Sequence, residues 1–205
     1  MADSMDFNGA ETQDAAFDLI PANTLVKVTL SIRPGGTGPE GWLSQSRTSS
    51  ALYLNTEAVV LEGPHARRRI YTRIGFKGKS VNERGEHTYA NRGRALIRGI
   101  LESARGIKAS DQSEVARTAR MIRSLGDLNG LDFVAKVGVE KDRNNPDDAG
   151  RNVIKAAIGP EHAQYAAVMG AAPSAGQAVS AQPQTPPAQP THKAPSAGGA
   201  PFWAR

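Results

Sequence analysis

Arg69, Tyr71 and Arg73 alternate along a stretch whose intervening positions are Ile70 and Thr72, with Ile74 following. In an extended chain, residues two apart share a face and stand about 6–7 Å apart. The spacing therefore sets two guanidinium groups on either side of a phenol. A single nucleic-acid strand requires cations that follow its phosphates and flat rings on which its bases stack, each stacked base contributing about 1–3 kcal/mol. Lys27 and Arg33 project from outward positions of an earlier alternating segment. Trp42 and Arg47 lie in the loop after that segment, and Lys77, Lys79 and Arg84 in the loop after Arg73. Together these ten residues form the candidate nucleic-acid surface. The face taken by Tyr53 depends on the register of its strand. Two plainer readings stand beside this one: Arg/Tyr alternation is also ordinary for a solvated sheet face, and Trp42 would serve equally well tucked against the end of a barrel. Arg92, Arg94 and Arg98 fit a solvated helix face better than a binding site.

Other chemistry finds no adequate set of residues. Gly36-Thr37-Gly38-Pro39-Glu40-Gly41 has the glycine spacing of a dinucleotide fingerprint, but Pro39 sits inside it and a Ser/Thr-rich loop follows where a helix is needed. Gly78-Lys79-Ser80 imitates the end of a phosphate-binding loop, yet Arg73 occupies the place of its leading glycine. The chain has four histidines and no cysteine, and no two histidines are four residues apart, which argues against zinc. Asp147-Asp148 lies in an Asn/Pro/Gly stretch and reads as turn chemistry. No catalytic residue, metal ligand or cofactor is expected, and the chain reads as a non-enzyme.

The elements that must position the surface follow from periodicity. Residues 25–33 alternate apolar and polar until Pro34-Gly35-Gly36; residues 51–61 form a second strand ending at Gly63-Pro64; residues 69–76 form a third, with Ile70, Thr72, Ile74 and Phe76 on one face. Helical spacing then takes over in Leu96, Ile97, Ile100, Leu101 and Ala104. A shorter helix opens at Asp111-x-x-Glu114 and carries Val115, Ala119, Ile122 and Leu125. Phe133, Ala135, Val137 and Val139 restore period two, and residues 153–158 supply a last apolar run beyond a hairpin loop at 144–150. The fold class is mainly β: an OB-fold-like five-stranded barrel with a helix or helix pair between strands three and four. A plain α+β sandwich is the alternative.

Charge and composition set the domain limits. The 205 residues carry a net charge of +5, but residues 1–23 contain five acids and no base, whereas residues 67–123 hold fifteen Lys and Arg against five Asp and Glu. That basic block is where a polyanion would be drawn. From residue 166 onward the chain is Ala, Pro, Gln, Ser and Gly, a composition expected to be disordered because it cannot bury enough apolar surface to offset its ordering entropy. The expected organisation is an acidic arm at 1–23, a domain at 24–165 and a tail at 166–205. The tail's Phe202 and Trp203 form either a docking peptide for replication or recombination proteins or merely an exposed end. No segment has the length and apolarity of a membrane span or the pattern of a signal peptide, so a cytoplasmic location is expected.

Several short stretches carry a family resemblance: Asp6-Phe7-Asn8, Phe17-Asp18-Leu19-Ile20-Pro21-Ala22, Ile32-Arg33-Pro34-Gly35-Gly36, Glu62-Gly63-Pro64, residues 100–107, and residues 135–141 followed by Asn152-Val153-Ile154. Over residues 6 to 160 the chain resembles a phage- and prophage-associated family whose members look like single-stranded-DNA-binding proteins of replication and recombination gene clusters. The resemblance implies an OB-like, cytoplasmic, non-enzymatic DNA binder in the bacterial host, and it transfers no contact residues. The expected function is largely sequence-independent single-stranded DNA binding. The alternative is a protein-interaction or structural module of a phage, with the basic surface incidental. Aromatic residues make up only 5% of the chain, so phosphate contacts should dominate and binding should depend strongly on salt. OB proteins often form homo-oligomers, and the sequence fixes no subunit number.

Overall fold

In the computed structural model the described residues are 18–170, apart from 80, 82, 83, 85, 86, 143 and 146, together with residues 6, 8 and 9. Nine elements organise them: β1 (Leu25–Arg33), β2 (Ser44–Gln45), β3 (Leu52–Val60), β4 (Arg69–Lys77), α1 (Thr88–Ala104), α2 (Glu114–Ala119), β5 (Asp132–Glu140), β6 (Arg151–Ile158) and α3 (Tyr165–Met169). The protein is mainly β, with its helical insertion between β4 and β5. All strand pairs are antiparallel, and the long strands lie in the order β4-β3-β1-β5-β6. The two-residue β2 adds a sixth strand beside the start of β3, inside a loop whose Gly/Ser/Thr composition gave no strand signal. Among the described residues, no helix is long and apolar enough to cross a membrane.

Alternation is what turns each strand into one wall of the core. Val26, Val28, Leu30 and Ile32 of β1 are buried on one face and meet Ile70, Ile74, Phe133, Val137 and Ile154 from neighbouring strands. Removing such area from water contributes about 25 cal/mol per Å². Ile100 and Leu101 of α1 add the helical stripe that the 3.6-residue spacing requires. β4 and β6, which run parallel through their common relation to β1, share no backbone ladder. They meet where the Ile154 N–H donates to Thr72 Oγ1 at 2.8 Å.

Four local readings change. Phe76 does not continue the inner face of β4: a bulge pairs Leu52 with Lys77 and Tyr53 with Gly75, leaving Phe76 unpartnered and exposed. Gly75 is instead covered by α1, because a Cβ on Gly93 would lie 1.7 Å from the Gly75 carbonyl oxygen. No side chain fits at that crossing. The second helix is capped by Ser113, whose hydroxyl accepts from Ala116 N–H at 3.2 Å, while Asp111 accepts from Ser113 N–H at 2.9 Å. Its buried residue is Ala116, and Val115 is exposed. At the other end of the domain, α3 extends the fold to Met169, four residues past the expected boundary. Tyr165 is buried there and donates its hydroxyl to the Ser103 carbonyl at 2.6 Å.

The last residues of the acidic arm also join the fold. Ile20 is fully buried, and its backbone N–H and C=O pair with the Asn152 side chain at 2.9 and 2.8 Å. Residues 171–205, including Phe202 and Trp203, lie outside the described residues, as does most of the arm before Asp18.

Candidate nucleic-acid interface

The outward face of β1, β3 and β4 is built in rows by strand register. Arg33 aligns with Asn55 and Arg73, and Ser31 with Glu57 and Tyr71; Thr29 aligns with Val59 and Arg69. Tyr53 lies two residues before Asn55, so by alternation it too faces outward. This register gathers Arg33, Arg69, Tyr71 and Arg73 on one surface, as their spacing predicts, and adds Tyr53. The Arg33 guanidinium lies 5.1 Å from the centre of the Tyr71 ring, and that of Arg73 lies 5.2 Å from the centre of the Tyr53 ring. At such distances the ring quadrupole attracts the cation. Two cation–aromatic pairs therefore stand side by side, with Tyr71 46% exposed.

Glu57 sits at the centre of this surface. Arg33 donates to its Oε2 from Nε, at 3.0 Å, and from Nη2; Arg69 donates to Oε1 from Nη1 at 2.6 Å. Arg33 holds the Glu57 carboxyl below the ordinary carboxylate value, with Arg69 assisting against the opposing effect of burial. In turn Glu57 fixes Arg33 over Tyr71. Sequence reasoning missed this residue. Its only signal was that Glu57 is the sole acid in β1, β3 and β4, and its proximity to two arginines needed the strand register to become visible. Arg73 has no ion-pair partner among the described residues.

The outward residues of β4 also border two cavities. Arg69 and Tyr71 line one of about 350 Å³, which reaches Leu19, Arg68 and the start of β6. Arg73 lines another, of about 480 Å³, between β4, α1 and β6. Tyr89, at the start of α1, packs on Gly75 and Gly78 beside this second cavity. Its hydroxyl pKa is pushed up by burial and drawn partly back by Arg73.

The remaining expected site residues separate into two groups. At the Tyr53 end of the face, Arg47 and Lys79 are exposed in loops, whereas Lys77 is not in the loop after β4 but is that strand's last residue, exposed and paired with Leu52; Arg84 is exposed in the loop leading to α1. Lys27 and Trp42 do not join the cluster. Lys27 is six residues from Arg33 on β1, and its Nζ lies 3.5 Å from Glu62 Oε1, in a cavity walled by α3. The Trp42 ring packs against Gly126, where an added Cβ would be 2.8 Å from Cζ2, and its Nε1 donates to Glu40 Oε2 at 3.0 Å. It packs against the core instead of joining the arginine cluster.

Three arginines of the basic block, Arg98, Arg105 and Arg120, are structural. Glu102, buried in α1, accepts from Arg98 Nε at 2.8 Å and from Arg120 Nε at 2.6 Å. The Arg120 Nη1 and Nη2 atoms donate to the carbonyls of Asp111, at 2.7 Å, and Lys108, at 3.0 Å, while Arg105 Nη1 donates to those of Ala119 and Met121. These guanidinium groups bind the chain after α1 to the helix. Compared with known proteins, the chain matches no family model and no curated protein.

Proposed function

We propose that this protein is a non-catalytic, largely sequence-independent single-stranded-DNA-binding protein serving phage or prophage replication or recombination in the host cytoplasm. The observation that carries the reading is the pair of Arg-over-Tyr contacts on the outward face of β1, β3 and β4. Bases stack on the Tyr71 and Tyr53 rings, and Arg33, Arg69 and Arg73 meet the phosphates. The flanking Arg47, Lys77 and Lys79 lengthen the cationic track. The strands form an OB-type barrel whose seam lies between β4 and β6. Support for this comes from the strand order β4-β3-β1-β5-β6, the parallel approach of β4 and β6 at Thr72 and Ile154, and the helix placed between β4 and β5.

An electrophoretic mobility series with oligothymidylate and a length-matched duplex tests the reading. Complex formation with the single strand at about 50 mM salt, weakening steeply as salt rises, is expected. Absence of a complex, or equal affinity for the duplex, overturns it.

A further inference from the structure

The cavity of about 480 Å³ between α1, β4 and β6 lies where the two parallel strands part beyond the Thr72–Ile154 contact. Its size falls within the about 300–1,000 Å³ typical of small-molecule sites. Small residues make up much of its floor: Gly75 from β4, Gly99 from α1, and Ala156 and Ala157 from β6, with the Ala157 Cβ 3.4 Å from where a Cβ on Gly99 would lie. Arg73, Arg92 and Lys155 stand at its border, and neither Asp nor Glu lines it. A mainly apolar hollow whose only charged neighbours are cations complements a ligand with an aromatic body and an anionic group. The hollow at the β5–β6 hairpin differs, since Glu140, Asp142 and Asp148 line it together with Lys141 and Arg151.

Arg73 also makes this groove continuous with the sheet face, because its guanidinium lies over Tyr53 while its residue borders the cavity. Arg92 is exposed and has no ion-pair partner among the described residues, so its charge is available to a ligand. We propose that the groove seats one nucleotide of the bound single strand, its base on the Gly/Ala floor and its phosphate against Arg73 and Arg92. This rests on the single-strand-binding reading and extends it from a flat face to a track that turns around the edge of β4.

The test uses the full chain and oligothymidylate. Amide resonances of Gly99, Ala156 and Ala157 shift on titration, together with those of Tyr71 and Arg73. Ala95→Leu fills the mouth of the groove from an exposed helical position and weakens binding about five- to tenfold, the loss of one stacked base. Arg92→Glu weakens binding at least about fivefold more than Arg94→Glu, which makes the same charge change on the same helix off the groove. The Arg pair keeps the comparison valid should Ala95→Leu unfold the domain. Shifts confined to the sheet face, with equal affinities for the two Arg variants, overturn the groove while leaving the face intact. Absence of shifts at both places removes the single-strand reading and the groove with it.

Discussion

Two nearly buried glutamates each receive two arginines, and the surroundings of those arginines separate a candidate site from a brace. At Glu102 the partner Arg120 has a side chain only 13% exposed and two further donors that end on backbone carbonyls, while Arg98, though 52% exposed, also donates its Nη2 to a backbone carbonyl, that of Ala109. At Glu57 the side chains of Arg33 and Arg69 are 53% and 61% exposed, and the non-carboxylate neighbour of Arg33 is an aromatic ring open to solvent. One carboxylate joins two guanidinium groups in both places. A guanidinium whose donors end on main-chain carbonyls orders a loop, whereas one that leaves donors facing solvent beside a tyrosine remains able to accept a phosphate. A count of Lys and Arg along the basic block cannot make this distinction.

The comparison is broken most directly at Glu102. Glu102→Gln removes the charge facing Arg120 and should cost about 3 kcal/mol of stability, read by urea unfolding, because a poorly solvated cation loses its counter-charge. Oligothymidylate affinity, measured where the variant is folded, should stay within about twofold of wild type. A large loss of affinity without a loss of stability would place the binding surface on the helices instead. Tyr71→Ala should show the reverse pattern: about 1–3 kcal/mol of single-strand affinity lost, with unfolding free energy within about 0.5 kcal/mol of wild type. Equal affinities for Tyr71→Ala and the exposed control Glu161→Ala would eliminate the β4 face.

Glu57→Gln sharpens the contrast from the other side. Removing a negative charge from the proposed phosphate track and releasing Arg33 and Arg69 should raise affinity several-fold. It should also steepen the dependence of log affinity on log salt by up to about 0.7 per added phosphate contact. An affinity that falls would mean that Glu57 matters more by holding Arg33 over Tyr71 than by its repulsion of phosphate. The smallest effect concerns pH. Because the Glu57 carboxyl is held below its ordinary value in the folded state, its stabilisation is fully present above that value and is lost as pH falls through the lowered one. Melting temperatures recorded between neutral and acidic pH should therefore decline less in Glu57→Gln than in wild type, and parallel curves would exclude the linkage.

The strands and the helix order could be read from the residues because alternation and helical spacing report burial directly: Val26, Val28, Leu30 and Ile32 are inside, and Arg69, Tyr71 and Arg73 are outside, as their periods require. What escaped was whatever depends on alignment between segments. Glu57 becomes part of the site only when β3 is registered against both β1 and β4. Phe76 turns outward because one bulge interrupts the alternation, and Trp42 is committed to the core by a glycine more than eighty residues away. Lys27 has the right face of the right strand, yet Glu62 and α3 surround it. Local pattern assigns a side chain to inside or outside; only pairing assigns its neighbours.

The Thr72 hydroxyl holds together two strands that lack a ladder, and this has a consequence for how the protein opens. Amides of β1 and β5 are locked on both sides by neighbouring strands, so their exchange with solvent deuterium should require global unfolding, whereas the free margins of β4 and β6 can part in smaller excursions. Thr72→Val, which keeps the shape and removes the acceptor for the Ile154 N–H, should accelerate exchange at Ile154 and its neighbours and leave the centre of β1 protected. The seam would then be the breathing line of the domain, with the crossing of α1 at Gly75 and Gly93 as the clasp that limits how far it opens.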